Sequence, residues 1–269
     1  MPELPEIASR AKEIKQLLVG KIIQLVDILQ PKSLNIPPEE FAANLVNSSI
    51  LDSSYHGKWI QVRVTSGWLL INLGMGGELL LTDRTQLPEK FRLIFDFTDG
   101  SCLTINFWWF GYVHFCTAEG ILQHRMTARL GPNVLDLSEE EFKITLSGQK
   151  GRIKAFLLDQ SNVAGIGNAY IHDILFLAKL HPNRSIQILV DNEIARLYQG
   201  IRQGLIPSLE KGGAFYEKDL HGKIGGFAME DILIGYREGT PCPVCKTTIQ
   251  KIKTGSTSSF ICPSCQPEI

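Results

Sequence analysis

Residues 5–18 place Ile7, Ala8, Ala11, Ile14, Leu17 and Leu18 three and four positions apart, a spacing that predicts an amphipathic helix stopped by Gly20. From there to about residue 130 the period changes. Short runs rich in β-branched and aromatic residues follow one another at 22–28, 60–64, 68–73, 79–81, 93–97, 102–107 and 112–115, separated by turn residues such as Asp99-Gly100. This cadence predicts an antiparallel sandwich or barrel, interrupted by one helical stretch at 39–45 after Pro37-Pro38. Beyond Leu130-Gly131-Pro132 helical spacing returns, at 139–146, 153–158, 169–179 and 190–209. The pattern divides the chain into a β-rich domain at 1–130, a helical domain at 131–236 and a short third unit at 237–269.

The third unit is defined by its cysteines. Cys242 and Cys245 form one C-x2-C, and after sixteen residues Cys262 and Cys265 form another. Two thiolates on each of two tight knuckles converge on one tetrahedral metal, so the spacing predicts a single structural zinc. Two disulfides are the alternative, disfavoured in a reducing compartment. So short a ribbon has almost no core, and metal binding would supply most of its folding free energy. Between the knuckles lie Lys246, Lys251, Lys253 and a run of hydroxyls from Thr254 to Ser259, which suit phosphate oxygens or simply solvent. Cys102 and Cys116 fall in apolar strand-like segments and read as buried free thiols.

Composition adds limits. The chain has 269 residues, 44% hydrophobic, with 27 Lys plus Arg against 28 Asp plus Glu. That excludes a disordered chain and a uniformly basic polyanion-binding surface, although local patches stay possible. No apolar run approaches the ~20 residues of a membrane span, and charged residues from Glu3 to Lys15 replace a signal peptide's apolar stretch. The expectation is a cytosolic protein.

Two segments carry candidate chemistry. The chain opens Met1-Pro2-Glu3-Leu4-Pro5-Glu6. Removal of Met1 would expose Pro2 as a secondary amine; α-amino groups titrate near pKa ~7.7 to 8.0, so an appreciable fraction is nucleophilic at neutral pH. Such an amine can form an iminium with an aldehyde-like carbon, with Glu3 and Glu6 as neighbouring acid and base. The second segment runs from Gly151-Arg152-Ile153-Lys154 to Val163-Ala164-Gly165-Ile166-Gly167-Asn168. Two glycines permit tight turns with exposed amides, Asn168 is placed to cap the following helix, and Lys154 with Asn168 would hold a nucleic-acid backbone. An ordinary helix connection is the plainer reading. A dinucleotide fold is disfavoured because the preceding segment looks helical.

Together these landmarks resemble the formamidopyrimidine-DNA glycosylase and endonuclease VIII family of bifunctional DNA repair enzymes. The likeness runs from Pro-Glu-Leu-Pro-Glu through Lys58, Leu73-Gly74-Met75, Phe110-Gly111, Val163–Tyr170, His181-Pro182, Gly212-Gly213 and Tyr236-Arg237-Glu238-Gly239 into the four-cysteine finger. The resemblance implies an α+β, two-lobed fold, an N-terminal antiparallel β-sandwich with flanking helices and a C-terminal helix-two-turn-helix lobe with a zinc finger. It implies a monomeric glycosylase and AP lyase in the bacterial cytosol or nucleoid, clamping damaged double-stranded DNA and flipping the lesion out. Pro2 would attack sugar C1′, Glu3 would protonate the opening sugar and Glu6 would support it. Lys58, Lys154 and Asn168 match phosphate contacts, with Arg237 and the finger lysines completing a basic surface. Met75 and Phe110 match residues that fill the gap left by the flipped nucleotide.

The sequence departs from that pattern at three places. The family's oxidised-purine enzymes carry Asp-Pro-Arg-Arg-Phe-Gly where this chain has Asn106-Phe107-Trp108-Trp109-Phe110-Gly111. Trp109 replaces the arginine that reads the widowed base; an indole offers one donor and a large stacking face. Either tryptophan would alternatively fill the lobe interior. The finger arginine that grips phosphate falls at Thr257, and the histidine before Leu-Gly-Met is Asn72. The expectations are that 8-oxoguanine opposite cytosine is not the main substrate and that DNA binding is weaker than the family norm. A catalytically weak or inactive binder of abasic or distorted DNA is the alternative, and a zinc-ribbon protein-interaction module a third.

Overall fold

The computed structural model describes residues 1–268 and separates into two compact units, Met1–Arg129 with Lys211–Gly226, and Leu130–Glu210 with Phe227 onward. In the first, α1 (Leu4–Leu18) runs as the apolar spacing predicts, with Ile7, Ala11, Ile14 and Leu18 buried. Pro5 near its start costs nothing, because the first turn has no intrahelical N–H bond to lose. Behind it lie eight strands: β1 (Ile23–Ile28), β2 (Ile50–His56), β3 (Trp59–Val64), β4 (Gly67–Asn72), β5 (Glu78–Asp83), β6 (Leu93–Phe97), β7 (Ser101–Asn106) and β8 (Tyr112–Cys116), with α2 (Pro38–Leu45) between β1 and β2. They form two four-stranded antiparallel sheets, ordered β1-β6-β7-β5 and β2-β3-β4-β8. One apolar cluster joins both sheets and α1, from Ile14 through Ile60, Val62, Ile71, Phe95, Phe97 and Ile105. The sandwich expectation therefore holds.

β2 lacks a readable strand signal, because Asp52, Ser53 and Ser54 interrupt its apolar alternation. Its register is nevertheless fixed by pairing from Asp52↔Arg63 to His56↔Trp59. Cys102 is buried as expected, but Cys116 is only half-buried, since it ends an edge strand; both thiols are free, and burial pushes both upward from the ordinary range.

The second unit holds α3 (Glu139–Leu146), α4 (Ile153–Leu158), α5 (Ile171–Leu177), α6 (Asp191–Glu210) and the hairpin of β9 (Gln250–Thr254) and β10 (Thr257–Ile261). The predicted cap at Asn168 is not formed. α5 begins two residues later, behind Tyr170, and no side chain caps it; Asn168 is exposed, and its carbonyl accepts from the Tyr236 hydroxyl at 3.2 Å. The turn before it is organised instead by Gln160, which donates to the Leu158 and Ile166 carbonyls and accepts from the Gly165 N–H. Gly165, at φ +113, occupies a backbone region that other residues rarely adopt. Among the described residues no helix is long and apolar enough to cross a membrane.

Candidate active site and nucleic-acid interface

In the first unit the amino terminus meets three buried carboxyl groups. Pro2 and Glu3 are buried where the chain enters α1, and Glu6 is 2% exposed one turn on. Glu6 accepts from the Glu3 N–H at 2.9 Å and from the Ala214 N–H at 3.1 Å, so one carboxylate ties the amino terminus to the loop 211–226. Arg10, also buried, reaches the carbonyls of Lys218 and Gly212 and pairs with Glu13, while Glu13 accepts from the Leu220 N–H. Gly213 must be small here, because a side chain would come within 3.1 Å of Glu6 Cγ. The loop also carries Glu217, whose carboxylate lies 4.0 Å from the terminal nitrogen of Met1. Burial, with the Glu6 and Glu3 carboxylates, pushes Glu217 up to about 7, against the pull of the terminal amine and Arg10. Motif reading missed Glu217 and Arg10; the only sequence signal was the paired Gly212-Gly213.

Lys58 sits half-buried in the two-residue turn between β2 and β3. Gly57, at φ +56, supplies the first central position of such a turn. Asn72 fastens it: Nδ2 donates to the Lys58 carbonyl at 3.0 Å while Oδ1 accepts from the Gly74 N–H at 3.0 Å. Next to that anchor, the loops at 73–77 and 107–111 are laced together, with Met75 N–H to the Trp109 carbonyl at 2.8 Å and Trp108 N–H to the Met75 carbonyl at 2.9 Å. A side chain at Gly74 would strike the Trp109 carbonyl, and one at Gly111 the Phe107 ring. Phe107 therefore fills the interior. Trp108, Trp109 and Phe110 do not: they are 63%, 64% and 68% exposed, with Met75 beside them at 40%. The alternative of an indole in the lobe interior is thus overturned, because Phe107 already occupies that space.

In the second unit Lys154 is only 3% exposed. Its ammonium donates to Thr254 Oγ1 (2.9 Å), Thr257 Oγ1 (2.9 Å), the Ser258 carbonyl (2.7 Å) and Ser259 Oγ (2.8 Å), all on the finger hairpin. Burial lowers it to about 8. Thr257, at the family's arginine position, is thereby a partner of Lys154. Arg237 is half-buried and donates to the Ile232 carbonyl at 2.7 Å. Asp173 on α5 accepts from the N–H groups of Leu233, Ile234 and Gly235, fixing the entry to the finger; no motif pointed to it. Cys242, Cys245, Cys262 and Cys265 bring their sulfurs within 4.8 Å of one another, with individual separations of 3.3 to 3.9 Å. A tetrahedron with Zn–S bonds of ~2.3 Å has S···S edges of ~3.8 Å, so the set fits one zinc ion.

Three family models match in order along the chain: the formamidopyrimidine-DNA glycosylase N-terminal domain over residues 1–106, its H2TH domain over 130–218, and the zinc finger found in FPG and IleRS over 239–267. The chain belongs to the formamidopyrimidine-DNA glycosylase family. The formamidopyrimidine-DNA glycosylase of Chloroflexus aggregans is 34% identical over 99% of this chain and 98% of its own length. That of Legionella pneumophila is 34% identical over the whole of both chains. Among solved structures, the Lactococcus lactis Fpg in complex with abasic-site DNA superposes with a TM-score of 0.90 at 26% identity, covering 99% of this chain and 100% of that one. Within the family frame, the zinc finger is a structural element and the three departures acquire positions: Asn72 locks a turn, Trp109 stands in solvent, and Thr257 bonds to a lysine.

Proposed function

We propose that this protein excises damaged bases from duplex DNA and cleaves the resulting abasic site, using the Pro2 amine once Met1 is removed. The observation that carries the reading is the burial of Pro2 and Glu3 at the start of α1, beside the Glu6 carboxylate. The amine lone pair attacks C1′ of the flipped nucleotide, the base departs, Glu3 protonates the opening sugar oxygen, and the iminium permits loss of the flanking phosphates. Glu6 accepts one backbone N–H on each oxygen, so its part is to position the terminus and the loop. Lys58, Asn168 and Arg237 contact the DNA backbone, whereas Lys154, expected from its motif to do the same, is enclosed by the finger hairpin and holds that hairpin in place instead. Met75, Trp109 and Phe110 fill the gap, and because an indole reads no base edge, the enzyme acts with little regard to the opposite base.

One zinc held by the four finger cysteines supplies folding free energy and takes no part in the reaction. The protein works as a monomer in the bacterial cytosol, on chromosomal DNA. The test is borohydride trapping on an abasic-site duplex, with a covalent adduct expected from the mature protein and none from Pro2→Gly. A second reading, a binder without turnover, is favoured by Thr257 in place of a phosphate-gripping arginine. Absence of adduct at saturating protein, with DNA binding retained, would establish it.

A further inference from the structure

We infer that Glu217 is the general base and acid that serves the amino-terminal amine, taking its proton before attack and delivering that proton to the leaving group. The inference rests on the Pro2 reading above and adds a residue to it.

Four observations carry it. The Glu217 carboxylate is the acidic group paired with the terminal amine, which in the unprocessed chain is that of Met1, at 4.0 Å. Removal of Met1 moves the terminus inward by one residue, ~3.8 Å between Cα atoms, onto the buried Pro2 of the same segment. Glu6 is already committed to two backbone N–H groups, whereas Glu217 faces the amine with its side chain. Its loop is pinned on both sides of it, by Arg10 to the Gly212 and Lys218 carbonyls, by Glu6 to Ala214, by Glu13 to Leu220, and by its own carbonyl accepting from the Gly225 N–H. The groups that face it are the terminal amine, Glu6, Arg10 and Glu3. Burial and the two other carboxylates, against the pull of two cations, push this carboxyl group up to about 7, which is where a proton shuttle works in both directions.

The chemistry balances. The Glu217 carboxylate removes one proton from the Pro2 ammonium, freeing the nitrogen lone pair, which bonds to C1′. The bond from C1′ to the base nitrogen breaks with its electron pair on the base, and the proton held by Glu217 passes to that nitrogen. On a preformed abasic site, where C1′ is an aldehyde, the same proton goes to the carbinolamine hydroxyl, which leaves as water.

The experiment measures the rate of borohydride trapping on an abasic-site duplex from pH 6 to 9.5 for wild type, Glu217→Gln and Glu217→Asp, with the affinity of each for a tetrahydrofuran-site duplex. In the wild type the rate is expected to rise through about 7. Glu217→Gln is expected to lose roughly 100-fold at pH 7 and to shift its inflection toward the ordinary α-amino range of ~8. By pH 9, where the amine is free without help, the gap closes to a few-fold. Glu217→Asp keeps the low inflection with part of the rate, and tetrahydrofuran affinity stays within about threefold. An unchanged rate and inflection in Glu217→Gln would overturn the inference, and so would an equal loss at every pH, which marks loop packing alone. No adduct from the wild type is a different failure: it removes the Pro2 reading itself.

Discussion

Glu6 Oε1 accepts the Ala214 N–H at 3.1 Å across 208 residues of sequence, while the other oxygen of the same carboxylate holds the Glu3 N–H. A charged acceptor serving two buried donors contributes roughly 1.5 to 3 kcal/mol, and each orphaned N–H adds its desolvation cost. Glu6→Ala is therefore expected to release the loop 211–226. Trypsin would cut at Lys211, Lys218 or Lys223 at least about tenfold faster than in the wild type. Equal digestion rates would show that the loop is held by Arg10 and Glu13 alone.

Lys154 gives folding a pH dependence of its own. Its folded-state value is lowered to about 8 from an ordinary 10.5, so between those limits the unfolded chain binds more protons. Folding stability then rises with pH across that window, by something of order 1 kcal/mol. Denaturation midpoints at pH 7.5 and 9.5 should increase in the wild type and stay level in Lys154→Met.

The exposed Trp109 predicts how partner bases are treated. Trp109→Ala should weaken binding to a tetrahydrofuran-site duplex by roughly 1 to 3 kcal/mol, equally for all four opposite bases. Trp109→Arg should instead create a preference for guanine or cytosine partners through directed donors. A wild type that already separates the four partners by tenfold would contradict the stacking account.

Three of the buried imidazoles set the acid limit. Burial and the neighbouring His124 lower His114 to about 4; burial lowers His124; burial and Lys154 lower His172 to about 3. All three are neutral when folded, so their stabilising effect is complete above the unfolded value of ~6.5 and is lost as pH falls through the folded values. His114 Nδ1 and His124 Nε2 are 2.8 Å apart, with His124 bonded on to Thr127, so a proton on either ring removes the acceptor its partner needs. Melting temperature should drop between pH 6.5 and 4, and His114→Asn should flatten part of that drop.

Chelation should act locally first. With zinc removed, the finger hairpin loses four sulfur bonds and keeps only a small apolar cluster of Ile249 and Phe260 with Phe176 and Ile234, so the hydroxyl cage around Lys154 loosens with it. Hydrogen exchange should accelerate in β9 and β10 before it does in the sandwich. Cys262→Ser should reproduce the effect.

The sequence made legible what depends on periodicity and spacing. α1, the apolar strands and the four thiols were readable because a helix face, an alternation or a metal tetrahedron repeats at a fixed interval. β2 was hidden by its serines, and Asn168 misled because a good capping residue two positions early caps nothing. Glu217, Arg10 and Asp173 were invisible for another reason. Each acts on backbone groups or charges far along the chain, through contacts that exist only after folding, and no local pattern of residues announces such a partnership. Lys154 was read as a backbone contact from its motif, but only the fold reveals the hairpin oxygens that enclose it.

The loop 211–226 packs with residues 1–129 although its chain neighbours belong to the other unit. The polypeptide thus passes between the two units three times, near 129, 210 and 226, and the first unit is discontinuous in sequence. No single cut frees it intact. A fragment ending at Arg129 would strand Glu6, Arg10 and Glu13, three charges that each lose a backbone partner beyond the cut. A gene truncated after the sandwich therefore encodes a broken sandwich rather than a small, self-sufficient one, and a nascent chain can complete its first lobe only after most of the second has left the ribosome.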